Sequence, residues 1–302
     1  MEKYKYIVDK FNYEGYWTRR TDEQDNRKYN NYVNEISKVV EEQQQLPISR
    51  RSGGKIRSSK YFCIVVCGYN SGFITPFTTL LKNNFYDFLT PINIEICKTI
   101  AKKNDTFGTP LLENTFIGNV EVNNLKYLFQ SLHILYHLKN LNKEKVIFYE
   151  IGGGYGGLSF WLHNLSKLFS IEISKYIVFD LKEVSELQNI YFNYMNIDSE
   201  SRYNCLNLSK ANNACNYLIS NYAYSEITLE NKQVYINNLF PLIDNGFITW
   251  NVHLLDVNLL KNLKLDKMTI KEEKLNVSIM PINEVNNFSE EDIVIYRGKK
   301  SI

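Results

Sequence analysis

Residues of four kinds stand where chemistry could use them. Glu150 precedes Ile151 and the run Gly152-Gly153-Gly154-Tyr155-Gly156-Gly157-Leu158, and Asp180 ends an apolar stretch 30 residues later. Glu226 and His253 close two further stretches. The glycines let a backbone turn sharply and let a ligand approach with no Cβ in the way. Free N–H groups at the start of the following helix favour a negatively charged group. A carboxylate at position 150 would repel a pyrophosphate, but it suits a ligand carrying an ammonium beside a carboxylate. Asp180 stands where a nucleotide-binding α/β unit accepts hydrogen bonds from ribose hydroxyls, or else caps a helix beginning at Leu181 or Lys182. His253 has the pKa of a base near neutrality; Glu226 could orient it, bind hydroxyls or cap the next helix.

These residues need strands and helices to place them. Val146 to Ile151 is a β-branched and aromatic run, so it reads as a strand, with a helix over about 156–169 after the glycines. Tyr176 to Asp180 reads as strand two, and a helix covers 182–195. Strand three is expected within 203–208, strand four at Tyr217 to Asn221, a helix over 229–243 and strand five at Phe247 to Val252. The alternation predicts a parallel sheet with helices on both faces. Strands near 275–282 and 291–297, with no long helix between them, predict a closing antiparallel hairpin whose last strand lies beside strand five. Chemistry in such sheets sits at the carboxyl ends of the strands, which brings Asn221, Tyr222 and Tyr224 into consideration.

The amino-terminal part, 1–143, reads as a mostly helical cap or substrate region, with the α/β domain over 144–302. Helical patterns lie near 35–45, 78–103 and 122–140, with a strand or buried segment at 61–67. Arg50-Arg51-Ser52-Gly53-Gly54-Lys55-Ile56-Arg57-Ser58-Ser59-Lys60 reads either as a mobile loop gripping a phosphate, with Arg57 a candidate substrate contact, or as a solvated loop. His133 and His137 would share one helix face, but the leucines around them favour ordinary packing over metal ligation, and no acid pair near the sheet's carboxyl edge compels a metal.

At 302 residues the chain can bury a large core, and 44% hydrophobic with 23% charged residues is an ordinary globular composition. The net charge of +2 and the lack of a continuous basic stripe argue against a nucleic-acid partner. No apolar run has membrane-spanning length, the start does not read as a signal peptide, and the five cysteines lack zinc-like spacing. A reducing, cytoplasmic setting follows as the expectation. The tyrosine-rich amino-terminal third could supply a homo-oligomer interface.

S-adenosylmethionine is a ligand of the ammonium-and-carboxylate kind, and Glu150-Ile-Gly-Gly-Gly-Tyr-Gly resembles the first motif of the class I methyltransferases. Glu150 to Leu158, Asn221-Tyr-Ala-Tyr-Ser-Glu226 and Gly246-Phe-Ile-Thr-Trp-Asn251 together resemble the sugar O-methyltransferase family, over about 145–252. Asp180-Leu-Lys-Glu183 resembles that family's acid-leucine-proline-glutamate step, with Lys182 where proline is usual. The resemblance implies a Rossmann-like, seven-stranded class I methyltransferase fold and methylation of a sugar hydroxyl, on a nucleotide sugar or a glycan. Glu150, Gly152, Gly153, Gly154, Tyr155, Gly156, Asp180, Leu181 and Asn221 are then the cofactor-binding candidates. Tyr222, Tyr224 and Arg57 are the substrate-binding candidates, with His253 and Glu226 as catalytic ones. An RNA ribose, a phenol or other small molecule, or a catalytically inactive binding subunit are the competing readings.

Overall fold

A computed structural model describes residues 23–47, 50–58, 74–221, 223–227, 229–251, 275–279 and 292–297. Helices α1 (Glu23–Gln44), α2 (Ile74–Asn84) and α3 (Pro91–Asn104) come first, then the hairpin strands β1 (Glu113–Thr115) and β2 (Gly118–Val120) and helix α4 (Asn123–Asn140). The alternating part follows: β3 (Lys145–Ile151), α5 (Gly157–Leu165), β4 (Glu172–Phe179), α6 (Lys182–Met195), β5 (Glu200–Arg202) and β6 (Cys215–Asn221). It closes with the short α7 (Ala223–Glu226), α8 (Leu229–Asn238), β7 (Asn245–Asn251), β8 (Leu275–Ile279) and β9 (Asp292–Arg297).

The sheet order is β5-β4-β3-β6-β7-β9-β8. Five of the seven strands form the parallel part; β9 runs antiparallel beside β7 and β8 antiparallel beside β9, the closing hairpin expected. Chain order reverses direction between β3 and β6, which opens a crevice at their carboxyl ends.

Residue alternation along the strands sorts side chains to the two faces. Val146, Phe148, Tyr176, Val178, Tyr217, Ile219 and Phe247 enter one hydrophobic cluster, with Leu128 and Leu132 of α4, Leu158 and Trp161 of α5, and Leu187 and Tyr191 of α6. Tyr149, Ile151, Ile177, Phe179 and Leu218 enter the other, with Leu239 and Phe240 after α8. Helices therefore cover both faces. The first cluster also takes Ile36 and Val40 of α1 and Ile100 of α3, so it runs across position 144 without a break. Helix α4 is buried over most of its circumference, with Asn123, Asn124, Gln130 and Ser131 among its buried residues.

The helical patterns over 78–103 belong to two helices: Pro91 sits at the first helical position of α3, and Thr90 caps it by accepting from the Asn93 N–H at 3.2 Å. Other expectations shift. Strand three lies at 200–202 instead of within 203–208, because Ser201 is its only buried residue and no apolar alternation marks it. The 229–243 helix stops at Asn238, and a 3-10 turn containing Pro241 follows. The segment 61–67, with Cys63 and Cys67, lies outside the described residues. No helix among the described residues is long and apolar enough to cross a membrane.

Candidate ligand site at the sheet switch point

The glycine run forms the turn between β3 and α5. Gly152 has φ +74°, and a Cβ there would collide with Ala223 at the start of α7. Gly156 caps α5 at φ +101°, where a Cβ would come within 2.5 Å of the Phe192 ring. Both positions thus demand glycine twice over, by conformation and by space. The turn is tied to the neighbouring strand: the Gly152 N–H donates to the Phe179 carbonyl at 2.9 Å.

Asp180 follows β4 at the sheet's carboxyl edge. Its Oδ2 accepts from the Gly153 N–H at 3.0 Å and from Gln188 Nε2 at 2.9 Å, and its Oδ1 accepts from the Leu181 N–H at 2.9 Å. Gln188 is itself fixed, donating also to the Gly154 carbonyl and accepting from Ser201 Oγ. Burial pushes the Asp180 carboxyl up to about 6 against the pull of these donors. The helix-cap alternative is not what forms, since Leu181 is the N-cap of α6 and no side chain caps it. Each oxygen of a carboxylate can accept more than one hydrogen bond, so Oδ1 keeps acceptor capacity toward the edge. Leu181 beside it is 40% exposed and offers an apolar surface there.

Glu150 does not stand in the open crevice. It is buried beneath Gly153, whose Cβ would lie 3.2 Å from Glu150 Oε2, and it accepts a hydrogen bond from the Tyr176 hydroxyl at 2.8 Å. Burial raises its carboxyl to about 8, opposed by the Tyr176 hydrogen bond and by Lys126, and aided by the nearby charge of Asp180.

On the other side of the switch, Asn221 ends β6 and its Oδ1 accepts from Gln130 Nε2 of α4 at 2.8 Å. The other polar atom of the Gln130 amide, Oε1, is buried and has no hydrogen-bond partner among the described residues. A buried acceptor left over beside a strand end is costly unless something fills it. Ser220 locks the same corner: its Oγ donates to the Ile151 carbonyl at 3.0 Å and accepts from the Tyr224 N–H at 3.0 Å.

The structure thus brings Gly152, Gly153, Gly154, Gly156, Asp180, Leu181 and Asn221 to one edge. Three candidates turn elsewhere. The Tyr155 side chain is fully buried in the core, so only its backbone belongs to the loop. Tyr224 is 3% exposed and packs against Phe240, turned into the second cluster instead of toward a ligand. Arg57 is 1% exposed and bonded to Asp105 and Glu121, so its guanidinium is used inside the protein, not presented by a mobile loop. Tyr222 and His253 lie outside the described residues, as does the side chain of Glu226, the last residue of α7. His133 packs on Phe85 and Phe129, and His137 Nδ1 shares a hydrogen bond with the Tyr217 hydroxyl at 2.8 Å.

Gln130, Gln188, Ser201 and Ser220 are the site residues that sequence reasoning missed. Gln188 carried a signal, a polar residue on the inward stripe of α6 beside Val184, Leu187 and Tyr191. Gln130 carried a similar one within the apolar α4.

No family model matches this sequence, and no curated protein matches it. Among solved structures, it resembles a candidate class I S-adenosylmethionine-dependent methyltransferase from Listeria monocytogenes, with 10% identity, 90% of each chain covered and a TM-score of 0.41. An S-adenosylhomocysteine-bound methyltransferase from Podospora anserina is 9% identical, with 76% of this chain and 97% of that one covered and a TM-score of 0.38. An rRNA methylase from Escherichia coli is 10% identical, with 86% and 98% covered and a TM-score of 0.35.

Proposed function

We propose that this protein binds S-adenosylmethionine at the carboxyl ends of β3, β4 and β6 and acts as a methyltransferase. The observation that carries the reading is Asp180, an acid at the end of β4 that is hydrogen-bonded to the backbone of a glycine loop beside the sheet's switch point. In this reading Asp180 accepts hydrogen bonds from the ribose hydroxyls and Leu181 lies against the base. The glycine backbone and the α5 N-terminus receive the carboxylate of the amino-acid end. Gln130 Oε1, a buried acceptor in need of a donor, takes its ammonium. When bound, the cofactor supplies a methyl carbon made electrophilic by a sulfonium. The protein's part is to align an acceptor atom with that carbon and to take its proton, the role proposed for His253 with Glu226 as its partner.

For the acceptor we take RNA first. Arg50 and Lys55 are exposed on one segment, Lys102 and Lys103 on the end of α3. The two segments adjoin, since the Gly108 N–H donates to the Ser52 carbonyl and the Arg57 N–H to the Gly108 carbonyl, each at 2.8 Å. Clustered exposed cations suit phosphates even when net charge is small. A sugar hydroxyl is the second reading, supported by the sequence resemblance over 145–252. Radiolabelled methyl transfer from S-adenosylmethionine, run on total RNA and on a panel of nucleotide sugars, separates them. We expect incorporation into RNA, weakened about tenfold or more when Lys55, Lys102 and Lys103 are replaced by Ala. Label on a nucleotide sugar alone would overturn the RNA reading.

A further inference from the structure

We propose that Arg57 is a positioning residue for the glycine loop and acts through Tyr155. The inference rests on the ligand role proposed for that loop.

The guanidinium is buried, and both terminal nitrogens are engaged. One terminal nitrogen, Nη1, donates to the carbonyls of Asn104 at 2.8 Å and Phe107 at 3.0 Å. The other, Nη2, pairs with Asp105 Oδ1 at 3.0 Å and Glu121 Oε2 at 2.9 Å. Its central carbon lies 4.3 Å from the centre of the Tyr155 ring. Such a stack needs a planar cation whose donors point outward in the plane, which arginine supplies and lysine does not.

Tyr155 is held on its other sides as well. Tyr127 and Tyr191 meet its ring edge-on at 5.9 and 5.2 Å, and its hydroxyl accepts from Asn104 Nδ2 at 2.8 Å. Asn104 is fixed in turn, accepting from the Tyr191 hydroxyl at 2.6 Å and donating to Asn124 Oδ1, which also accepts from Trp161 Nε1 of α5. A Cβ on Gly157 would lie 2.7 Å from the Tyr155 hydroxyl, so the start of α5 closes down on the same ring. Tyr155 is the one side chain inside the glycine run, and its slot fixes the flanking Gly154 and Gly156. The cluster built from residues 57, 104, 105 and 121 therefore sets the backbone that Asp180 and the ligand meet.

The test combines hydrogen exchange of the loop amides 153–157 with the affinity for S-adenosylhomocysteine. The variants are Arg57→Lys, Glu121→Gln and Tyr155→Phe; Phe88→Leu, in the Phe88–Phe169 pair, is the stability control. We expect loop exchange about tenfold faster and affinity about tenfold weaker in the three variants, and neither change in the control at equal loss of Tm. If Arg57→Lys does not fold, the two milder variants decide. Unchanged loop exchange in folded variants, or an equal change in the control, would overturn the positioning role. If wild-type protein binds no S-adenosylhomocysteine while the variants still loosen the loop, the positioning role stands and the cofactor reading fails.

Discussion

Replacing Asp180 with Ala should weaken S-adenosylhomocysteine binding roughly 30- to 150-fold, the loss of about 2–3 kcal/mol expected when charge-assisted hydrogen bonds to hydroxyls are removed. Two losses combine: the acceptor for the ribose goes, and the Gly153 N–H and Gln188 lose the oxygen that ties the glycine loop to α6. Asp180→Asn separates them. An asparagine has one acceptor oxygen in place of two, so it can keep either the Gly153 or the Leu181 contact but not both. It should fall between wild type and Ala in isothermal titration calorimetry. Affinity unchanged in Asp180→Ala, with the protein folded by circular dichroism, would remove Asp180 from the ligand site.

Glu150→Gln should change the pH dependence of stability. Burial raises the Glu150 carboxyl from 4.5 to about 8, so folding favours its protonated form. A raised carboxyl pKa contributes stability that is fully present below the unfolded value near 4.5 and lost as pH climbs through about 8. At about 1.4 kcal/mol for each tenfold change, that loss is on the order of a few kcal/mol. Glutamine can still accept from the Tyr176 hydroxyl and cannot ionise, so the variant should exceed wild type at pH 9 and match it near pH 5. The acid limb has another source. His133, His137 and His163 are held down to about 4 by burial, and their contribution is lost as pH falls from 6.5 through about 4. Both proteins should share that limb. Urea unfolding at pH 5, 7 and 9 checks this, and parallel curves across the range would contradict it.

How much of this was legible in the sequence depended on whether a residue's neighbours were near it in the chain. Strand β3 was legible because a β-branched and aromatic run ends in glycines, and Asp180 because its distance from Glu150 matches one β-α-β step. Arg57 was not. Five basic residues on a glycine- and serine-rich stretch look like solvated loop, and nothing local says that Asp105 and Glu121, 48 and 64 positions on, will enclose one of them. Glu150 was found, yet its placement under the loop depended on Tyr176 of the next strand. By position Tyr155 and Tyr224 read as ligand contacts, but packing takes their rings into the core, Tyr155 between Tyr127 and Tyr191 and Tyr224 against Phe240. Strand β5 is expected a few residues too late, because an edge strand with one buried serine has no hydrophobic rhythm.

Calorimetric titration of the wild-type protein with S-adenosylhomocysteine tests most directly whether the crevice between β3 and β6 holds S-adenosylmethionine, as proposed. One site per chain with micromolar affinity, about −8 kcal/mol, is the expected result. Folded protein that releases no heat and shows no shift in Tm at about 1 mM ligand, some 100-fold or more above the expected Kd, would contradict it.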